Sequence, residues 1–245
     1  MAQRIFISGA SSGIGEHLAY HYARLGARLG LAARRGELLE KVAMECRRLG
    51  ATTVVYELDV TDQEECRATA TDFLTRFEGI DLVIANAGKS GDDHLDTGDP
   101  TRTNQILKIN ILGITNIVYP FAPSLMQQNS GQVVLVSSIA GVRGLPRRGA
   151  YSGSKALVRT LANSWRFTFA GHYVKVTTIY PGFVRTPMTA SRQTIMPFLM
   201  DVEPAAALIA GAIARGRRNY LFPWQWRLLL PLIKIVPDWI VGKVV

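Results

Sequence analysis

The chain has 245 residues, of which 48% are hydrophobic and 19% are charged. Average globular proteins have roughly 25% charged residues, so this composition supports a large buried core and excludes a disordered chain. The length fits one α/β domain better than two ordinary domains. A net charge of +9 indicates an anionic partner, which can be nucleic acid, a membrane surface or a phosphorylated small molecule.

The two cysteines, Cys46 and Cys66, form no Cys-x-x-Cys pattern, so they predict neither a disulfide framework nor a zinc site. They fit a reducing compartment, and we expect a cytoplasmic protein. No stretch is apolar over the roughly 18 residues that a spanning helix needs, and the first apolar run is too short for a signal peptide. We therefore expect no transmembrane segment.

Six short runs rich in β-branched residues alternate with stretches of helical period. The predicted strands are residues 4–8, 28–33, 53–58, 82–85, 132–136 and 174–179. The fourth and fifth are apolar at consecutive positions, which is typical of strands covered on both faces in a parallel sheet. The alternation predicts an α/β fold, a doubly wound parallel sheet with helices on both faces, in which ligands bind beyond the carboxyl ends of the strands.

A glycine-rich turn directly follows the first strand and leads into a predicted helix over residues 16–25. Its pattern is Gly-x-x-x-Gly-x-Gly, with glycines at Gly9, Gly13 and Gly15. Glycines permit a tight turn, and the N–H groups at the start of the helix can hold a pyrophosphate. Glycines also serve tight turns for purely structural reasons, but the position after a first strand favours a nucleotide site.

The second predicted strand ends at Ala33 and is followed by Arg34 and Arg35. NAD sites usually have an acidic residue about twenty positions after the glycines, whereas an arginine there accommodates the 2′-phosphate of NADP. Because Ala33 stands where the acid would be, NADP(H) is favoured over NAD(H). The alternative is that both arginines only solvate a helix start, with Glu37 as a local partner.

A serine, a tyrosine and a lysine follow the fifth predicted strand. Ser138 comes directly after it, and Tyr151 and Lys155 stand four residues apart, on one face of a helix. A tyrosine in water has a pKa of about 10, and a neighbouring ammonium is the kind of group that favours its ionised form. The three side chains could pass a proton to or from a substrate oxygen. Tyr-x-x-x-Lys alone is common on helix surfaces, so only its combination with other motifs carries weight.

That combination closely resembles the short-chain dehydrogenase/reductase family over residues 9–186. Besides the glycines and the Ser138, Tyr151 and Lys155 set, the matching motifs are Asp59-Val60, Asn86-Ala87-Gly88, Asn110 and Pro181-Gly182 followed by Thr186. The resemblance implies a Rossmann-type sheet of seven strands, hydride transfer between a nicotinamide and a carbonyl or carbinol carbon, and a homodimer or homotetramer. The departures from the family pattern are Ser8, where threonine is commoner, and residues 89–99.

The resemblance also implies roles for individual residues. Tyr151 is the acid/base, Lys155 lowers its pKa and binds the nicotinamide ribose, Ser138 holds the substrate oxygen and Asn110 positions a water in a proton relay. Ser11 and Ser12 would contact the adenosine phosphate region with Arg34, Asp59 the adenine, Asn86 its ribose and Thr186 the nicotinamide amide. The full cofactor-binding set is Gly9, Ser11, Ser12, Gly13, Ile14, Gly15, Arg34, Arg35, Asp59, Val60, Asn86, Ala87, Gly88, Tyr151, Lys155, Pro181, Gly182, Val184 and Thr186.

Two further groups of residues bear on the substrate. Residues 188–200 include Ile195, Met196, Phe198, Leu199 and Met200, which can form a flexible apolar lid or pack as an ordinary amphipathic helix. The rim arginines, Arg143, Arg147 and Arg148, attract an anionic substrate group or are simply solvated.

Composition shifts after Tyr220, so we divide the chain into a catalytic domain, residues 1–220, and an apolar tail, residues 221–245. The tail must be covered because exposed leucines are unfavourable. It folds back over the substrate pocket of the same domain, packs on a second subunit, or lies at a membrane surface. Residues 205–245 hold six basic residues and one acidic residue.

The sequence therefore predicts an NADP(H)-dependent oxidoreductase that interconverts a ketone and a secondary alcohol on a hydrophobic substrate, such as a lipid, 3-ketoacyl or steroid-like compound. The alternative is a non-catalytic NADP(H)-sensing module. We expect no nucleic-acid partner, since no reader motif is present. His17 and His21 have helical i, i+4 spacing, but nothing completes a metal site, and none is predicted.

Overall fold

The computed structural model describes residues 2–190 and 195–236, with residues 232–235 described by their backbone alone. The strands are β1 (Arg4–Ser8), β2 (Arg28–Ala33), β3 (Thr52–Glu57), β4 (Leu82–Ala85), β5 (Gln132–Val136), β6 (Lys175–Pro181) and β7 (Asn219–Phe222). The helices are α1 (Gly13–Ala23), α2 (Gly36–Arg48), α3 (Gln63–Phe77), α4 (Thr101–Leu107), α5 (Gly113–Gln128), α6 (Gly149–Ala170), α7 (Pro187–Ala190), α8 (Val202–Ala214) and α9 (Gln225–Ile235).

The seven strands form one parallel sheet in the order β3-β2-β1-β4-β5-β6-β7. The strand order reverses beside β1, where Ser8 at the end of β1 is in register with Ala32 of β2 and with Ala85 of β4. The segments that follow β1, β2 and β4 therefore begin at one edge of the sheet. This register brings the glycine turn, the two arginines after β2 and the Asn-Ala-Gly motif together, at the switch point where open α/β sheets bind ligands.

Two apolar layers cover the sheet, one on each face. On one face, Leu18 of α1, Leu39 of α2 and Ile209 of α8 belong to a fully buried cluster; on the other, Phe73 of α3 and Phe121 of α5 do. Each such side chain contributes roughly 1.5–3 kcal/mol when it leaves water. The predicted Rossmann-like, doubly wound parallel sheet is confirmed.

The observed elements differ from the sequence predictions at several boundaries. Helix α1 begins at Gly13 rather than at residue 16, and it ends at Ala23. Strand β3 is displaced by one residue, and β6 extends to Pro181. Strand β7 was not among the six strands read from the residues and was expected only from the family resemblance. It pairs with β6 at the edge of the sheet.

The stretch Thr101–Gln128, which joins α4 and α5, is long and apolar enough to cross a membrane by length and composition. In the fold it packs against α3 and the sheet, and Ile114, Phe121 and Leu125 are buried in the core. This burial explains the apolar composition without a bilayer.

The C-terminal segment begins inside the sheet. The proposed boundary at residue 220 falls within β7, and α9 follows after a short turn. Trp226 and Leu230 of α9 are buried. The remainder of the predicted tail, residues 237–245, lies outside the described part of the chain.

Candidate active site

The glycine turn forms a concave backbone surface, the glycine cradle, that residues with a side chain could not form. Gly9 has φ +68°, and a Cβ added there would lie 2.8 Å from the Cα of Ala87. Gly13 also has a positive φ, and a Cβ on Gly15 would collide with the carbonyl oxygen of Gly9. Since α1 begins at Gly13, its first N–H groups have no carbonyl partner within the helix, and that of Gly13 donates to Oε2 of Glu16 at 3.1 Å. This concave, side-chain-free surface at a helix N-terminus fits a pyrophosphate.

Ser8 and Asn86 tie the end of β4 to the glycine turn. The Ser8 hydroxyl accepts hydrogen bonds from the backbone N–H groups of Asn86 (3.1 Å) and Ala87 (3.2 Å). The Asn86 side-chain amide donates to the carbonyl oxygens of Ser8 and Gly9, at 3.1 and 3.2 Å. A threonine at this position would use the same hydroxyl oxygen. The serine at position 8 therefore keeps these hydrogen bonds, although it departs from the family pattern.

The two arginines after β2 lie on the same wall of the site. Nη2 of Arg35 donates to the hydroxyls of Ser12 (2.6 Å) and Ser11 (3.0 Å). Arg34 lies 3.6 Å from the Asp59 carboxylate. Arg35 is thus the arginine that bonds the two serines, and the predicted contact of Arg34 with the adenosine phosphate region stays a prediction. Among the described residues, Glu37 forms no ion pair with either arginine.

Asp59 is held as an anion. Burial favours its neutral form, but the N–H and hydroxyl of Thr61, each 2.9 Å from Oδ1, and the Arg34 charge outweigh that effect and lower the pKa of Asp59. Its carboxylate is thus a fixed acceptor at the edge of the site.

The predicted Ser138, Tyr151 and Lys155 group lies beyond β5. All three side chains are buried, and Nζ of Lys155 is 5.9 Å from the centre of the Tyr151 ring. This Nζ donates to the carbonyl oxygen of Val136, 2.8 Å away. Complete burial lowers the pKa of Lys155 to about 8. The Ser138 hydroxyl accepts from the N–H of Ala140, 3.1 Å away, which leaves its own proton to donate.

Asn110 stands behind this group in a π-helical turn between α4 and α5, the kind of bulge often found at functional sites. Its side-chain amide donates to Ser154 Oγ and to the carbonyl oxygen of Lys89, each at 2.9 Å, and its Oδ1 accepts from the N–H of Lys89 at 2.7 Å. The Ser154 hydroxyl in turn donates to the carbonyl of Tyr151. Asn110 thus links α6 to the segment after β4, and its relay water stays a prediction.

The segment of residues 89–99, which no sequence pattern explained, positions the catalytic helix. Both carboxylate oxygens of Asp93 accept from the N–H of Ala150 at the start of α6, the shorter contact being 3.1 Å. Asp92 lies 2.8 Å from Arg148 and 4.0 Å from Arg147. Two of the three rim arginines are therefore ion-paired, and the third, Arg143, donates to the carbonyl oxygen of Val236.

One continuous cavity of about 1050 Å³ joins the glycine cradle to the Ser138, Tyr151 and Lys155 group. All predicted cofactor-binding residues line it except Gly15. Asn110 is fully buried behind the wall. Small-molecule sites usually span roughly 300–1,000 Å³, so this cavity is at the upper end of that range and suits an extended ligand.

Sequence reasoning did not single out Trp226 for the wall of this cavity, although folding of the tail over the substrate pocket was one of its alternatives. The ring of Trp226 contacts Phe198 edge-on at 5.8 Å, and it lies 6.1 Å from the ring of Phe183. Its Nε1 is buried and has no hydrogen-bond partner among the described residues. Leu230 and Val236 also line the cavity. Only the apolar composition of the tail hinted at these residues.

The predicted lid is described in part. Met188, Ile195 and Pro197 line the cavity, and Ile195 is exposed. Residues 191–194 lie outside the described residues, and the flexibility of the lid stays a prediction.

No group of three His, Cys, Asp or Glu side chains that could hold a metal ion occurs within residues 2–190 and 195–236. His17 bonds the Gly13 carbonyl oxygen at 3.0 Å instead. Cys46 and Cys66 are free, and burial raises the pKa of each thiol to about 12.

Comparison with known proteins agrees with this geometry. The family model described as short chain dehydrogenase matches residues 3–196. An uncharacterized oxidoreductase of Myxococcus xanthus is 37% identical, with 95% of this chain and 92% of the relative covered. An 11-beta-hydroxysteroid dehydrogenase-like protein of Arabidopsis thaliana is 34% identical, with 95% and 77% covered.

Solved structures share the fold. A short-chain dehydrogenase/reductase from Burkholderia phymatum, in complex with NAD, has a TM-score of 0.86 at 24% identity, covering 94% of this chain and 92% of that one. An alcohol dehydrogenase from Thermococcus sibiricus, complexed with 5-hydroxy-NADP, has a TM-score of 0.81 at 26% identity, covering 91% and 95%. The chain belongs to the short-chain dehydrogenase/reductase family and is an oxidoreductase that acts on CH–OH and C=O groups.

Proposed function

We propose that the protein interconverts a ketone and a secondary alcohol on a hydrophobic substrate, with NADP(H) as the cofactor. The observation that carries this proposal is the single cavity that has the glycine cradle at one end and Ser138, Tyr151 and Lys155 at the other. A protein that only sensed NADP(H) would not need the second group.

The preference for NADP(H) rests on the charges after β2. Arg34 and Arg35 line the cavity beside the hydroxyls of Ser11 and Ser12, and Ala33 stands where NAD sites carry an acid. Two guanidinium groups suit a 2′-phosphate. Titration of NADPH and NADH against Arg34→Ala and Arg35→Ala tests this proposal. We expect each variant to lose about tenfold in NADPH affinity and little in NADH affinity. Unchanged NADPH affinity in both variants would refute the preference.

In ketone reduction, the chain supplies orientation and a proton. The bound nicotinamide supplies a hydride to the carbonyl carbon. Ser138 donates a hydrogen bond to the substrate oxygen, and Tyr151 transfers its phenolic proton to that oxygen, which completes the alcohol. The Lys155 ammonium stabilises the negative charge that this transfer leaves on the tyrosine. In alcohol oxidation the same transfers run in reverse, and the ionised Tyr151 accepts the hydroxyl proton.

The substrate end of the cavity favours an apolar compound with at least one polar acceptor. Its wall includes the apolar side chains of Leu145, Phe183, Trp226 and Leu230, and the Ser138 and Tyr151 hydroxyls need an acceptor on the substrate. The plant relative named as 11-beta-hydroxysteroid dehydrogenase-like supports a lipid, 3-ketoacyl or steroid-like compound.

A panel of carbonyl compounds, assayed by the loss of NADPH absorbance, tests the activity. We expect turnover of hydrophobic ketones by the wild type and a loss of at least about a hundredfold in Tyr151→Phe, because general acid catalysis contributes that much. Equal rates in the two proteins would refute the mechanism.

We further propose a cytoplasmic homodimer or homotetramer. In support, both cysteines are free thiols, and Tyr119 of α5 and Phe167 of α6 expose large aromatic surfaces. Light scattering on a Tyr119→Asp and Phe167→Asp double variant tests the assembly: a monomer is expected, and an unchanged mass would contradict this interface.

Cell fractionation tests the location, with protein outside the cytoplasm as the contradicting result.

A further inference from the structure

The sheet edge around β7 carries a concentration of arginines. They are Arg159 and Arg166 on α6, Arg215 directly after α8, Arg217 and Arg218 before β7, and Arg227 on α9. Four of them, Arg159, Arg215, Arg217 and Arg227, line one cavity of about 450 Å³. We call the six the arginine edge.

The positive charges of the arginine edge have no carboxylate partners. No ion pair joins any of the six to a carboxylate within residues 2–190 and 195–236. Arg166 bonds the carbonyl oxygen of Arg218 and the side chain of Asn219 instead. Burial, and to a smaller degree the charge of Arg218, lowers the pKa of Arg166. Grouped like charges of this kind favour an anionic partner.

Large apolar side chains are exposed next to this edge. Trp224 and Leu228 are 63% and 65% exposed, on either side of Arg227. The opposite face of α9 is buried, since Trp226 and Leu230 are 7% and 8% exposed and line the main cavity. Helix α9 therefore has one face on the catalytic cavity and another that presents Arg227 and Leu228 to the surroundings, next to the exposed Trp224 in the preceding turn.

An arginine and a leucine on the outer face of a helix, beside an exposed tryptophan, suit the interface of an anionic bilayer. A nucleic acid would neutralise the arginines but leave the tryptophan and leucine in water. We propose that the arginine edge, together with Trp224 and Leu228, docks on anionic phospholipid membranes.

Docking of this face would bring α9 to the lipid surface, and the inner face of α9 is a wall of the main cavity. A hydrophobic substrate could then reach the cavity from the bilayer. This last consequence rests on the proposed function, whereas the docking itself does not.

Sedimentation with phosphatidylcholine vesicles, with and without phosphatidylglycerol, tests the docking independently of activity. We expect the full-length protein to bind the phosphatidylglycerol vesicles and to release them as salt is raised. An Arg215→Gln and Arg217→Gln double variant should bind about 25-fold more weakly, since each basic residue near an anionic surface contributes about fivefold. A matched control, Arg47→Gln and Arg48→Gln, removes the same charge from α2 at the opposite edge of the sheet and should bind like the wild type.

A second pair, Trp224→Ser and Leu228→Ser, separates the apolar contribution from the charge. We expect weaker vesicle binding that is lost at lower salt than in the wild type, because only the electrostatic contribution remains. Thermal unfolding and turnover of a water-soluble ketone should be unchanged, because neither residue lines the main cavity.

The proposal is overturned if the wild type binds neither kind of vesicle, or if the control pair on α2 loses as much binding as the Arg215 and Arg217 pair. It is also overturned if the Arg215 and Arg217 pair disrupts only self-association, measured by light scattering.

Discussion

Replacing Lys155 with methionine should stabilise the protein at neutral pH while abolishing turnover. Burial lowers the pKa of Lys155 from its ordinary value of 10.5 to about 8. The amine is still mostly protonated near pH 7, so the fold carries a buried ammonium that costs about 3 kcal/mol, at about 1.4 kcal/mol per pH unit. Methionine removes this cost but leaves the Val136 carbonyl without its donor, a loss of about 1–2 kcal/mol. We expect a net gain of about 1–2 kcal/mol near pH 7.

The pH dependence is the sharper part of this prediction. Between pH 8 and pH 10.5 the unfolded chain binds more protons at Lys155 than the native protein does, so the stability of the wild type rises with pH relative to the variant. The difference in unfolding free energy between the two proteins should therefore shrink by about 2 kcal/mol from pH 7 to pH 9.5. Urea unfolding of both proteins at both pH values measures this difference. The contributions of all groups that titrate equally in the two proteins cancel when the free energies are subtracted. A difference that stays constant, or that grows with pH, would refute the reasoning.

Three other substitutions test separate parts of the site. Gly9→Ala should lower the free energy of unfolding by about 1–3 kcal/mol, because Gly9 has a positive φ and a Cβ there would meet the Ala87 backbone. It should also abolish cofactor binding measured by calorimetry. Gly171→Ala, which has open space around it, is the control, and equal effects of the two substitutions would contradict the role of the glycine turn. Asp93→Ala should lower stability by about 1 kcal/mol in urea and reduce kcat, through loss of the Ala150 contact; an unchanged kcat would remove its positioning role. Trp226→Phe should leave stability unchanged or higher, since the buried indole N–H has no hydrogen-bond partner among the described residues, and should change the KM of bulky apolar ketones, because Trp226 lines the cavity. A clear stability loss would contradict the absence of a partner.

The parts of the site that depend on the spacing of nearby residues could be predicted from the sequence. The Gly9, Gly13 and Gly15 turn and the Tyr151 and Lys155 pair are defined within a few residues, and parallel strand register brings them to one cavity. The helix start was placed three residues late because two glycines lower helix propensity, although α1 includes both.

Contacts between distant segments could not be predicted from one sequence. Asp93 meets the start of α6 across 57 positions, and Trp226 reaches Gly182 from the C-terminal helix. Neither contact leaves a pattern in the nearby sequence, because each depends on how a loop or a helix folds back onto the sheet. Strand β7 was missed for a related reason: it has four residues at the sheet edge, two of them only partly buried, and only three of them are apolar.

The central claim is that a hydride reaches a carbonyl carbon beside Tyr151. NADPH deuterated at the transferable C4 position, incubated with the best ketone of the panel, tests it most directly by NMR of the product. We predict deuterium on the carbinol carbon with the wild type and almost none with Tyr151→Phe, although both proteins bind NADPH. An unlabelled product, or equal labelling by the two proteins, would contradict the account.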